Sequence, residues 1–154
     1  MQTEATLEEL VSQLSSSSVA FGTDNPVNAA LGPALEDALA EANLDPAGMI
    51  VLEQTPPVIA DLRDLAQDAA AETGLDTVLV RTPQVAVGVS DSLNRAQVER
   101  GERAMAAEPD YVAGVHAFAD AANLFSVNWP LVVAAVLVVL AAVAAAAAFS
   151  ARRR

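Results

Sequence analysis

The chain has 154 residues, 53% of them hydrophobic, with a formal net charge of −12 and a pI near 4.2. It contains no cysteine, no lysine and a single histidine, His116, which excludes disulfides, thiol chemistry and a His-rich metal site within one chain. All 20 acidic residues and only five arginines (63, 81, 95, 100, 103) precede residue 129, a net of −15 and the wrong sign for binding nucleic acid. Such a surface also repels anionic headgroups and polymers, and suits a partner with a basic or hydrophobic patch. Abundant Ala, Val, Asp and Arg without Lys fits a high-GC bacterium, or equally a halophile.

The opening MQTEATLEEL has no basic or apolar leader pattern, so no cleavable signal peptide is expected. Leu7, Leu10, Val11 and Leu14 fall at helical spacing and predict a helix over Glu4 to Leu14. Ser15 to Ser18 and then Phe21-Gly22-Thr23-Asp24 read as a loop. Asn25 is a candidate N-cap and Pro26 a first helical residue, opening a helix to about Ala42 whose buried face is Val27, Leu31, Leu35 and Leu39. Asn43 to Gly48 closes it.

Met49 to Leu52 is a short apolar run, the pattern of a strand covered on both faces. Pro56-Pro57 opens a third helix, with Ile59, Leu62, Leu65, Ala66 and Ala69 inward and Asp61, Asp64, Asp68 and Glu72 outward. Gly74 is placed to cap its end. Thr77 to Val80 and Val85 to Val89 predict an antiparallel hairpin turning at Thr82-Pro83. A charged helix follows from Leu93 to about Glu108, with Ser90, Asp91 or Ser92 as its cap, and then a last soluble helix from Asp110 to Leu124. That helix presents Val112, Val115, Phe118 and Ala122 on one face. These signals predict an α/β fold: a small mixed sheet of about three strands sandwiched by helices, with a right-handed β-α-β crossover.

Residues Trp129 to Phe149 contain no charge. Twenty-one helical residues extend about 31 Å, close to the roughly 30 Å hydrocarbon core of a bilayer. Trp129 suits the interfacial belt and Pro130 the first turn, while Phe149 precedes the basic end Arg152, Arg153 and Arg154. Basic flanks stay cytoplasmic, so the expected topology puts the acidic part outside and the tail inside, with lipid bilayer as one partner. The Ala144 to Ala148 run suggests a face able to approach another helix, or a place where Ala simply suffices. The expected organisation is a helix and loop (1–24), an α/β domain (25–125), a span (129–149) and a tail (150–154). With only Phe125 to Asn128 between them, the domain is expected at the bilayer surface.

No GxSxG, HExxH, Walker A or EF-hand pattern is present, and no catalytic residue, metal site or cofactor is assigned. The most suggestive cluster is Asp91-Ser92-Leu93-Asn94-Arg95, where a carboxylate, an amide and a guanidinium follow a strand and open a helix. The alternative is that its polar residues cap the helix and are otherwise solvated. Arg95, Glu99 and Arg103 are spaced for two i,i+4 ion pairs. Gly101 offers a close approach, to its own domain or to a partner. Tyr111, beside Pro109, is a candidate recognition residue or an anchor for the last helix. Asp91, Asn94, Arg95, Glu99, Gly101 and Tyr111 are thus the candidate contacts. His116 reads as an exposed or half-buried helix residue.

The stretches MIVLEQTP, DLRDLAQDAAAETG, DTVLVRTP and NRAQVERGERAM, followed by a span with a basic end, resemble small single-pass membrane proteins of Actinobacteria, of the Corynebacteriales type. Their extracytoplasmic part is a TPM-like domain. The resemblance implies an N-outside topology and a non-enzymatic regulator or scaffold. Its implied partner is a peptidoglycan endopeptidase of the NlpC/P60 class acting in cell separation. Other TPM domains are described as phosphatases or metal-binding modules, but their acidic cluster has no clear counterpart here beyond Asp91. A membrane-tethered TPM-type phosphatase or metal-binding module, and an assembly subunit of a membrane complex, are the alternative functions. The oligomeric state is left open.

Overall fold

The computed structural model describes residues 5–44, 46–123 and 129–152. It separates into two compact units, Met1–Leu124 and Phe125–Arg154. The first contains, in order, α1 (Leu7–Ser16), β1 (Val19–Phe21), α2 (Pro26–Glu41), β2 (Ala47–Val51), α3 (Ala60–Thr73), β3 (Thr77–Arg81), β4 (Ala86–Ser90), α4 (Arg95–Ala107) and α5 (Tyr111–Asn123). The second contains α6 (Trp129–Arg152).

The sheet has four strands in the order β1-β2-β3-β4, not about three. β1, β2 and β3 are parallel, and β4 returns antiparallel to β3. The missing strand is Val19-Ala20-Phe21, which lies between and partly within the two segments read as a loop. Three residues between four serines and Gly22-Thr23 are too few to show a period, but all three stand in parallel register with Met49 to Val51.

Side chains alternate across the sheet, as the pleat requires. Val19, Met49, Val51 and Leu79 face α2, α4 and α5, where Leu35, Leu39, Met105, Val115 and Phe118 complete one core. Ala20, Ile50, Val78, Val80 and Val87 face α1 and α3, meeting Leu10, Leu14, Leu62, Ala66 and Ala69. The result is a three-layer α/β/α unit. Because the strands step in one direction while α2 and α3 lie on opposite faces, their two crossovers have opposite hands. One of the two is therefore left-handed, against the usual hand of such connections. Packing supplies the reason: α1 occupies the β1 end of the α3 face, leaving α2 the opposite face beside α5.

Helix ends follow local chemistry. Thr6 and Glu9 form a reciprocal capping box on α1, which starts at Leu7 rather than Glu4. Asn25 caps α2 as expected, but its buried face is Asn28, Gly32, Leu35, Ala38 and Leu39, and Val27 is 73% exposed. Asn43 (φ 53°) and Gly74 (φ 72°) take the left-handed conformation after α2 and α3. α3 begins at Ala60 rather than at the prolines, leaving Ile59 exposed. The α4 cap is Asn94, in a box with Gln97, and not a residue of Ser90 to Ser92.

Within α6, Pro130–Phe149 is 20 residues long and apolar enough to cross a membrane. Its leucines and valines and Phe149 are exposed in the isolated chain, unlike those of a soluble core helix. Trp129 and Pro130 lie in its first turn and Arg152 ends it. Arg153 and Arg154 lie outside the described residues, as do residues 124–128.

Candidate functional site

The parallel strands end together: Phe21, Val51 and Arg81 are aligned across the sheet, and β4 begins opposite Arg81 at Ala86. This crest gathers the loops after β1, β2 and β3, the position where open α/β sheets place ligand-contacting residues. Each loop contributes polar groups. Thr23 and Asn25 donate to the Glu53 carboxylate, joining the first two loops. Buried Asn28 donates to the Thr23 carbonyl at 2.8 Å, and the Thr55 and Thr82 hydroxyls meet at 2.7 Å. Val27, Val58 and Ile59, the exposed large hydrophobic residues of this unit among those described, all stand at this end.

Arg81 closes the crest from below. It is 2% exposed, although it is an arginine in a strand. Its guanidinium donates to the carbonyls of Thr82, Val85 (3.3 Å) and Glu108 (3.2 Å) and lies 4.9 Å from the centre of the Tyr111 ring. No carboxylate among the described residues pairs with it. Backbone dipoles and a π face therefore hold this charge, and they tie the hairpin turn to the α4–α5 junction.

A groove of about 670 Å³ opens beside the crest. Glu9, Ser12 and Gln13 of α1 form one wall, Asn28 and Ala29 of α2 another, and Phe21, Gly22, Thr23 and Asp24 the floor. Phe21 ends the β1 sheet edge, and its outward N–H and C=O are both taken by the Gln13 side-chain amide, at 2.9 and 3.1 Å. The opposite sheet edge is protected differently. There the Gly88 N–H donates to Glu102 at 2.8 Å, and Glu102 also pairs with Arg63 at 2.9 Å.

The residues singled out from sequence are not brought together. Asp91 and Asn94 lie at the other end of the sheet, Asp91 lining a cavity of about 520 Å³ with Asp76 and Ser90. Asp76 is the organising carboxylate there. It accepts from Ser92 at 2.6 Å, Thr77 at 2.9 Å and Ser90 at 3.3 Å, and the Ser92 bond above all holds its pKa below the ordinary aspartate value against partial desolvation. Arg95 and Glu99 form an exposed ion pair at 2.7 Å, which lowers the Glu99 pKa. Arg103 donates to the Glu99 main-chain carbonyl at 3.1 Å. Gly101 is buried inside the domain, where a Cβ would stand 2.6 Å from the Phe118 ring; its close approach serves α5, not a partner. Tyr111 is at the crest, under Arg81. His116, half-exposed, lies 3.8 Å from Glu41. Among the described residues no three His, Asp or Glu side chains converge on a position that could hold a metal ion.

The crest was not found from sequence because β1 was not. Once Phe21 is seen as a strand end, Thr23-Asp24-Asn25, Glu53-Gln54-Thr55 and Arg81-Thr82 become three polar segments after three parallel strands. A family model described as "Membrane protein Rv1476" matches residues 2–154. The chain belongs to that family. No curated protein and no solved structure matches it. Membership covers both units, so the acidic α/β unit and the apolar helix are parts of one membrane protein.

Proposed function

We propose that this chain is a non-enzymatic, membrane-anchored regulator or scaffold whose α/β unit faces the extracytoplasmic side. There it holds a peptidoglycan endopeptidase of the NlpC/P60 class close to the membrane. The observation that carries the reading is the pairing, in one family member, of a span-length apolar helix with a packed unit whose polar clusters are engaged in internal bonds. Glu53, Asp76, Glu102 and Arg81 each bond within the fold, which makes the unit a rigid platform. Arg152, Arg153 and Arg154, flanking the apolar stretch, favour a cytoplasmic position for that side, and tethering raises the effective concentration of whatever the platform binds. The endopeptidase assignment comes from the sequence resemblance, and the acidic surface fits a partner with a basic face.

The test is affinity capture of the full-length chain solubilised in mild detergent, with intact folding checked by circular dichroism. Recovery of an NlpC/P60 endopeptidase is expected. Recovery of integral membrane proteins alone would replace the reading with an assembly subunit, and recovery of no hydrolase by folded protein would remove the endopeptidase.

A further inference from the structure

The two sheet edges are covered by different chemistry, and only one cover can be exchanged for a peptide. At β4 the Gly88 N–H is taken by a carboxylate that is itself ion-paired, at 2.8 and 2.9 Å. An incoming main chain offers only a neutral carbonyl in place of that charge-assisted bond, which is the stronger of the two. At β1 the cover is the neutral Gln13 amide, which gives one N–H to the Phe21 carbonyl and takes the Phe21 N–H. Those are the same two bonds that a residue of a neighbouring strand makes. The Gln13 amide is thus a one-residue substitute for a strand, and it lines an open groove of about 670 Å³.

The geometry points to this groove as the docking site for an extended, cationic segment of a partner protein, whose main chain takes over the two Phe21 bonds from Gln13. The mode is main-chain addition at a sheet edge, in which backbone bonds give affinity and flanking pockets give side-chain preference. The cationic preference follows from the lining. Glu9 and Asp24 border the groove, with Glu53 bonded to Thr23 just behind its floor, and no arginine lines it. Phe21 and Ala29 supply apolar contact between them. Because the exchange trades one amide for another, its net hydrogen-bond cost is small. The site rests on the reading of this unit as a binding platform, but not on the identity of the partner.

The test uses the full-length chain in detergent micelles and, as probe, a fluorescent eight-residue peptide of alternating valine and arginine. Gln13→Ala removes the competing amide and is expected to tighten binding several-fold. Asp24→Arg is expected to weaken it at least tenfold, whereas Asp68→Arg, the same charge change on the exposed face of α3, leaves it within twofold. Methylating the peptide's main-chain nitrogens one at a time is expected to abolish binding at one alternate set of positions. Unchanged or weaker binding to Gln13→Ala, equal loss from Asp24→Arg and Asp68→Arg, or indifference to methylation would each overturn the site. The methylation series uses the wild-type chain, so it decides even where a variant folds poorly. Peptide binding without capture of an endopeptidase would leave this site standing and remove the hydrolase assignment; capture that persists when the peptide fails would do the reverse.

Discussion

Arg81 is a buried arginine whose counterpart is an aromatic ring: its guanidinium carbon lies 4.9 Å from the centre of the Tyr111 ring. The remaining support is main-chain, from Thr82, Val85 and Glu108. This contact fixes the start of α5 to the crest of the sheet. Arg81→Met keeps much of the volume but strands the Thr82 and Glu108 carbonyls, while that of Val85 still accepts the Thr82 N–H at 2.9 Å, so it is expected to cost about 2–4 kcal/mol. Tyr111→Leu, which removes only the ring, is expected to cost about 0.5–2 kcal/mol. Urea unfolding of the wild type and both variants measures the order. Equal loss from the two would show that the ring, rather than the carbonyl set, holds the arginine.

The contact of α4 with α5 depends on Gly101. A Cβ there would meet three Phe118 ring atoms at 2.6 to 2.9 Å, in a core where Phe118 is fully buried. Gly101→Ala should gain about 1 kcal/mol in helix propensity and lose more to overpacking, for a net loss of about 1–3 kcal/mol. The double variant Gly101→Ala, Phe118→Leu should recover part of that loss. Thermal melting shows whether it does, and a stabilised single variant would contradict the packing.

The Asp76 carboxylate gives the unit an acid-sensitive corner. Its folded pKa lies below its ordinary value, chiefly through the Ser92 hydroxyl. A lowered folded pKa means that the unfolded chain binds the proton more readily. The stabilisation is therefore present above the unfolded aspartate pKa and is lost as pH falls through the folded one. Ser92→Ala should raise the Asp76 pKa towards normal and reduce stability at neutral pH, with the difference from wild type vanishing in acid. Carboxyl-carbon NMR titration combined with denaturation at several pH values tests both parts.

At the β4 edge, Glu102 links α4 to Gly88 and to Arg63 of α3. Glu102→Ala leaves the Gly88 N–H without its carboxylate and is expected to cost about 1–3 kcal/mol. Arg63→Ala should cost less, about 1 kcal/mol or below, because the Arg63 side chain is 43% exposed and water screens the pair. A double-mutant cycle separates the two. A larger loss from Arg63→Ala would mean that the ion pair, not the edge bond, is the main contribution.

Most of the fold was legible where a pattern ran long enough. Asn25-Pro26, Gly74 and the two apolar runs Thr77 to Val80 and Val85 to Val89 on either side of Thr82-Pro83 placed α2, the end of α3 and the β3–β4 hairpin close to where they stand. Val19 to Phe21 was not legible, since a three-residue edge strand takes its definition from β2 and not from itself. The same applies to the exposed Val27: Asn28 and Gly32 turn inward because Asn28 bonds the Thr23 carbonyl and Gly32 packs against Phe21. The crossover hand depends on α1 occupying a face before α2 reaches it, which local periodicity does not encode. The crest and the Gln13 cover were hidden for the same reason as β1, and Arg81 because an arginine after Val78-Leu79-Val80 reads as a strand end rather than a buried group.

Absence of cysteine from the chain makes one measurement of topology direct. A single Asp68→Cys change on the exposed face of α3, and separately a cysteine appended after Arg154, can be labelled with a membrane-impermeant maleimide in intact spheroplasts. The account predicts labelling at position 68 without permeabilisation, and labelling of the appended cysteine only after it. Protection at 68 with free labelling beyond Arg154 would put the acidic unit in the cytoplasm and contradict an envelope partner.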